Sequence, residues 1–141
     1  MGSSPTKPRV LVVDDESSIL ITLPAILERH GFDVCAAGSA REAIQKLSGN
    51  VFQIVITDMR MESVTAGYDV VRAAQMQPYQ PATLLLTAFP PEEAEWRACG
   101  VTALFEKPVN VRALVAELRA IIERQPSRPS SETESESRVD D

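Results

Sequence analysis

A chain of 141 residues, 44% of them hydrophobic and 24% charged, can fold into one domain with a real core and is too short for two ordinary ones. A formal charge of -6 argues against a basic face for nucleic-acid phosphates, so no nucleic-acid partner is expected. No apolar run approaches the roughly 20 residues of a membrane span, and the opening "MGSSPTKPRV" lacks a signal-peptide core. No membrane partner is therefore expected, and the location is read as cytoplasmic.

Residues 1–7 read as a flexible N-terminus. "RVLVV" (9–13) is a β-branched and leucine run ended by Asp14 and Asp15, the pattern of a strand buried on both faces. "ESSILITLPAILERHG" follows with Ile19, Leu20, Leu23, Ile26 and Leu27 at helical spacing and Gly31 as a stop. Pro24 removes the hydrogen bond to the Leu20 carbonyl, which predicts a bent helix rather than a broken one. "FDVCAA" (32–37) is a short strand, and "SARE" (39–42) is a capping box opening a helix to about Leu47. "FQIVIT" (52–57) is a third strand ending at Asp58, before a helix from about Gly67 to Gln77.

"ATLLLT" (82–87) is the fourth strand. "PPEEAEWRAC" starts with prolines and glutamates, as a helix should, and Gly100 closes it after two or three turns. "TALFE" (102–106) is the fifth strand, and "NVRALVAELRAIIER" is a long amphipathic helix with an asparagine cap. From residue 125 to 141 the chain is read as a disordered acidic tail rich in serine and glutamate, taken as a solubilising end. Five acids against two arginines place -3 of the net charge within it. Cys35 and Cys99 have no CxxC spacing and sit among apolar neighbours, so both are read as buried thiols. His30, before Gly31, is read as a helix C-terminal residue favoured by the helix dipole.

Strands alternating with helices predict a parallel sheet covered on both faces. In such a sheet the ligand site lies beyond the carboxyl ends of the strands. Asp14 and Asp15, Asp58, Thr87, and Lys107 with Pro108 stand at those ends and should converge. Singly, each has a bland explanation as a helix cap, a strand end or a loop residue; together at one sheet edge they are hard to explain by chance. Three gathered carboxylates repel, by about 4 kcal/mol per pair at about 4 Å with an effective dielectric near 20. A hard cation such as Mg2+ offsets this, with Lys107 adding to it. Asp58 should then serve as an oxygen nucleophile for phosphoryl transfer.

"VLVVDDE", "IVITDMRM", "LLLTA" and "FEKPV", in this order and spacing, resemble the receiver domain of two-component response regulators over about residues 8–124. The resemblance implies a doubly wound, flavodoxin-like five-stranded sheet of order 2-1-3-4-5, an order for which a member of this family is itself the standard example. It implies that Asp58 accepts a phosphoryl group from a sensor histidine kinase or a phosphotransfer protein. Asp15, Asp58 and the backbone carbonyl of Arg60 would bind Mg2+ directly, and Asp14 mainly through water. Thr87 would hydrogen-bond the phosphoryl oxygen, Ala88 would leave room for it, Lys107 would pair with it, and Pro108 would follow a cis bond. The acyl phosphate would bias a two-state domain, changing the face of the fourth helix, fifth strand and fifth helix. The chain would catalyse at most its own phosphoryl transfer and dephosphorylation.

Three features depart from the family pattern. Leu104 stands where an aromatic usually precedes the lysine by three residues, with Phe105 one place later. The 20 residues from Thr87 to Lys107 make a slightly short interval, which predicts a short or displaced fourth helix. Glu62 replaces a common proline after Asp58, and Gly67 comes one residue late. The competing readings are a constitutive interaction module that no longer switches and a metal-dependent phosphohydrolase. The latter would need an aspartate where Arg60 stands.

Overall fold

In the computed structural model, which describes residues 7–125, five strands alternate with five helices. The order is β1 (Arg9–Val13), α1 (Ser17–Arg29), β2 (Asp33–Ala37), α2 (Ala40–Gly49), β3 (Ile54–Thr57), α3 (Ala66–Gln75), β4 (Ala82–Thr87), α4 (Glu93–Ala98), β5 (Ala103–Glu106) and α5 (Val111–Arg124). The strands form one parallel sheet of order β2-β1-β3-β4-β5, the expected architecture. The N-terminal segment before Lys7 and the acidic tail beyond Gln125 lie outside the described residues.

Alternation along each strand divides the core between two layers. Val10, Val12, Ile54, Ile56, Leu84 and Leu86 face α1 and α5, where Leu23, Leu27, Leu114 and Leu118 meet them. Leu11, Val13 and Val55 face α2 and α3, against Ala43, Leu47, Val70 and Ala74. Leu85 joins Met59, Val71, Trp96 and Val101 in a smaller cluster beneath α3 and α4. The same alternation sends Leu104 and Phe105 to opposite faces of the sheet. Leu104 packs on the α3/α4 cluster, whereas Phe105 packs on the α1/α5 layer. Phe105 is therefore on the wrong face of the sheet to replace the missing aromatic.

Local signals account for most element ends. α1 runs unbroken through Pro24. His30 caps α1, its Nδ1 lying 2.9 Å from the Ile26 carbonyl oxygen. Ser39 caps α2 by accepting from the Glu42 N–H at 3.1 Å, but the return bond of the capping box lands one residue early, from Gly38 N–H to Glu42 Oε1 at 2.8 Å. Asn110 caps α5 through Oδ1, which accepts from the Ala113 N–H at 3.0 Å.

Two expectations need correction. α4 is short, as the interval from Thr87 to Lys107 predicts, but its six residues make under two turns rather than two or three, because Pro90 and Pro91 keep the chain extended through Glu92 (ψ 142°) and Gly100 ends it at φ +88°. Cys35 and Cys99 are free but half-buried rather than buried: Cys35 packs at the edge of the α2/α3 layer with its Sγ 3.3 Å from Arg9 Nη2, and Cys99 caps the C-terminus of α4.

Candidate functional site

The sheet ladder continues one residue past β1, β3 and β5 and fixes the site from the backbone. Asp14 N–H donates to the Ala37 carbonyl at 3.1 Å, Asp58 N–H to the Val13 carbonyl at 2.8 Å, and Lys107 N–H to the Thr87 carbonyl at 2.9 Å. Parallel register places Val13 beside Thr57, and Thr87 beside Glu106. Residues 93 positions apart in sequence thus reach one edge by register alone.

Asp14, Asp58 and Thr87 are all buried, while Asp15 is exposed at the rim. Carboxylate oxygens of Asp14, Asp15 and Asp58 lie within 4.8 Å of one another. Lys107 Nζ sits among carboxylates, 2.8 Å from Asp14 Oδ2, 3.0 Å from Glu16 Oε1 and 3.2 Å from Asp58 Oδ2. Asp58 Oδ1 accepts from the Met59 N–H at 2.7 Å, and Asp14 Oδ1 from the Glu16 N–H at 2.9 Å. Thr87 Oγ1 accepts from the Phe89 N–H at 3.2 Å, which engages the oxygen and leaves the hydroxyl proton to donate. The Lys107–Pro108 peptide bond is cis.

Burial raises the Asp14 carboxyl above the ordinary aspartate range; Lys107 and the Glu16 N–H pull it down, and the Asp58 charge raises it again. Burial alone would lower the Lys107 ammonium, but Asp14, Glu16 and Asp58 more than offset it and raise it above the ordinary lysine range.

The donor set suits a small hard cation. Three carboxylates converge, and Asp14 Oδ2, though at ion-pair distance from Lys107, has no aligned hydrogen-bond donor. A buried oxygen in that condition is costly, and a cation with its waters would satisfy it. The arrangement also matches the preference of Mg2+ for a few carboxylates with water completing its shell.

Two functional neighbours escaped the sequence reading. Glu16 has no assigned role in the sequence reading, yet it is one of three carboxylates on Lys107. Arg60 was considered for its carbonyl, and its side chain proves to stack over the Phe89 ring at 4.6 Å. That contact joins the loop after β3 to the loop after β4, where Ala88 and Phe89 line a crevice with Met59 and Val64. Gly67 has a plain reason as well: a Cβ there would stand 2.5 Å from the Asp58 carbonyl oxygen and 2.8 Å from Met59 Cα.

Comparison with known proteins agrees with this architecture. The chain is similar to the transcriptional regulatory protein PrrA of Mycobacterium tuberculosis, with 31% identity over 95% of this chain and 58% of PrrA. It is similar to the alkaline phosphatase synthesis transcriptional regulatory protein PhoP of Bacillus subtilis, with 32% identity over 88% of this chain and 52% of PhoP. The chain thus spans little more than half the length of these relatives. Among solved structures, the chemotaxis response regulator CheY4 of Vibrio cholerae superposes with a TM-score of 0.74 at 32% identity, over 82% of this chain and 99% of CheY4. A CheY-like receiver domain protein from Methanospirillum hungatei gives a TM-score of 0.75 at 26% identity, over 84% and 96%. No described helix is long and apolar enough to cross a membrane. The profile of the response regulator receiver domain matches residues 10–119, and the chain belongs to that family.

Proposed function

We propose that the chain is a phosphorylation-dependent signalling receiver whose acceptor is Asp58. A sensor histidine kinase or a phosphotransfer protein would supply the phosphoryl group. A carboxylate oxygen of Asp58 attacks phosphorus, the phosphorus–nitrogen bond of the donor phosphohistidine breaks, and an acyl phosphate forms. Asp15, Asp58 and the Arg60 carbonyl would hold Mg2+ directly, with Asp14 acting through water. When bound there, Mg2+ neutralises charge on the transferring oxygens.

The chain's own residues do the rest. The Met59 N–H holds one oxygen of Asp58, so the carboxylate presents a defined face. Lys107 already stands 3.2 Å from Asp58 and needs little movement to pair with a phosphoryl oxygen. Thr87 supplies a hydroxyl donor from the next strand, and Ala88 beside it adds no bulk at the mouth. In this reading the output is protein contact or onward phosphorelay, not turnover of an external substrate.

The observation that carries the reading is the junction of Asp58 with Lys107, Asp14 and Asp15 at one strand edge. The test is intact-mass measurement after incubation with Mg2+ and a small-molecule phosphoryl donor. One added phosphoryl group, absent with EDTA and in Asp58→Asn, supports it. Unmodified protein at a donor level that labels another receiver would favour a module that binds its partners constitutively.

A further inference from the structure

The loop that follows Asp58 is tied to a helix outside the site by one carboxylate. Both oxygens of Glu62 accept from the Ala40 N–H, at 3.1 Å each, and Oε2 also accepts from the Arg41 N–H at 3.4 Å. Ser39 Oγ takes the Glu42 N–H, so the first three amides of the ten-residue α2 are all satisfied. Two of the three are satisfied by a residue more than twenty positions away. An anion at this end of a helix is also favoured by its dipole.

The same loop is fixed elsewhere. Met61 packs on the α2/α3 layer, and Gly67 N–H donates to the Met59 carbonyl at 2.8 Å. Arg60 lies between these anchors, and its backbone carbonyl is the one proposed metal ligand that a side-chain change cannot supply.

We propose that Glu62 is a positioning residue for the phosphoryl site: by capping α2 it fixes the loop that presents the Arg60 carbonyl to the cation. The proposal rests on the Mg2+ reading above. Groups that orient metal ligands without touching the metal commonly matter at the level of affinity.

The experiment compares Mg2+ binding by calorimetry, together with urea unfolding, in the parent, Glu62→Ala, Glu62→Gln and Ser39→Ala. Ser39→Ala weakens the cap of the same helix without touching the loop. Glu62→Ala is expected to weaken Mg2+ binding about tenfold. Glu62→Gln, which keeps an oxygen acceptor, should recover most of the loss, while Ser39→Ala should lose stability and bind Mg2+ like the parent. Parental affinity in Glu62→Ala overturns the proposal, as does an equal loss in Ser39→Ala, which would reduce Glu62 to a helix cap. If Glu62→Ala does not fold, Glu62→Ser, whose side chain is too short to reach the Ala40 N–H, takes its place and is read the same way. A parent that binds no Mg2+ overturns the metal reading itself, and this inference with it.

Discussion

Asp58→Asn should leave the stability of the metal-free protein within about 2 kcal/mol of the parent while removing its response to Mg2+. Asp58 lies 3.2 Å from Lys107 Nζ and within 4.8 Å of both Asp14 and Asp15. At an effective dielectric of about 20, the Lys107 attraction is about 5 kcal/mol and each carboxylate repulsion at that limit about 3.5 kcal/mol. The two repulsions together exceed the attraction. Asp15 is exposed, so solvent screens its share: with that repulsion kept in full, removing the charge gains about 2 kcal/mol, and with it screened out entirely it costs about 2 kcal/mol. The new amide oxygen can still accept from the Met59 N–H, and Lys107 keeps Asp14 and Glu16. Urea unfolding in EDTA and in Mg2+ measures both halves. At a slope of about 2 kcal/mol per molar, the midpoint in EDTA should move by no more than about 1 M. In Mg2+ at about a hundredfold its Kd the parent should gain about 2.7 kcal/mol, and the variant far less. A variant less stable than the parent by clearly more than about 2 kcal/mol in EDTA, or one with the parent's full Mg2+ increment, would refute the charge reasoning.

Lys107→Ala should cost more in EDTA, about 3 kcal/mol in urea unfolding, because it strands the buried Asp14 and Asp58 without a counter-charge. The pH dependence has a defined sign. Lys107 is raised in the folded state, so its contribution is complete below its unfolded pKa of about 10.5 and is lost as pH rises through the folded value. The parent should therefore lose stability above about pH 10.5 by an amount that Lys107→Ala does not show. Gly67→Ala forces a Cβ against the Asp58 carbonyl oxygen, so thermal unfolding should register a loss of about 1–3 kcal/mol, with a matching fall in labelling of Asp58. Asn110→Ala removes the α5 cap and should cost about 1 kcal/mol without altering Mg2+ binding.

The readable part of this protein was whatever depends on local pattern and strand register. β4 fell on Ala82–Thr87 as expected, because a six-residue apolar run between turn residues admits little else. Asp14, Asp58, Thr87 and Lys107 could be placed together because parallel strands bring their carboxyl ends to one edge. What stayed hidden were contacts between side chains of distant loops. Glu16 meets Lys107 across 91 residues, and Glu62 reaches Ala40 across 22. No periodicity encodes either pair. Glu62 stood out only as a residue of the wrong type for its place, and its partner emerged only with the fold. The length of α4 was overread because two prolines ahead of two glutamates look like a helix start, whereas the chain stays extended until Glu93.

The central claim is that phosphate resides on Asp58, and chemical mapping tests it most directly. The labelled protein is treated with borohydride, which reduces an aspartyl phosphate to homoserine, and the peptides are then sequenced by mass spectrometry. Homoserine at position 58, dependent on Mg2+ during labelling, is the predicted result. Homoserine at position 14 or 15, or a label that survives borohydride unchanged on another residue type, would contradict the account.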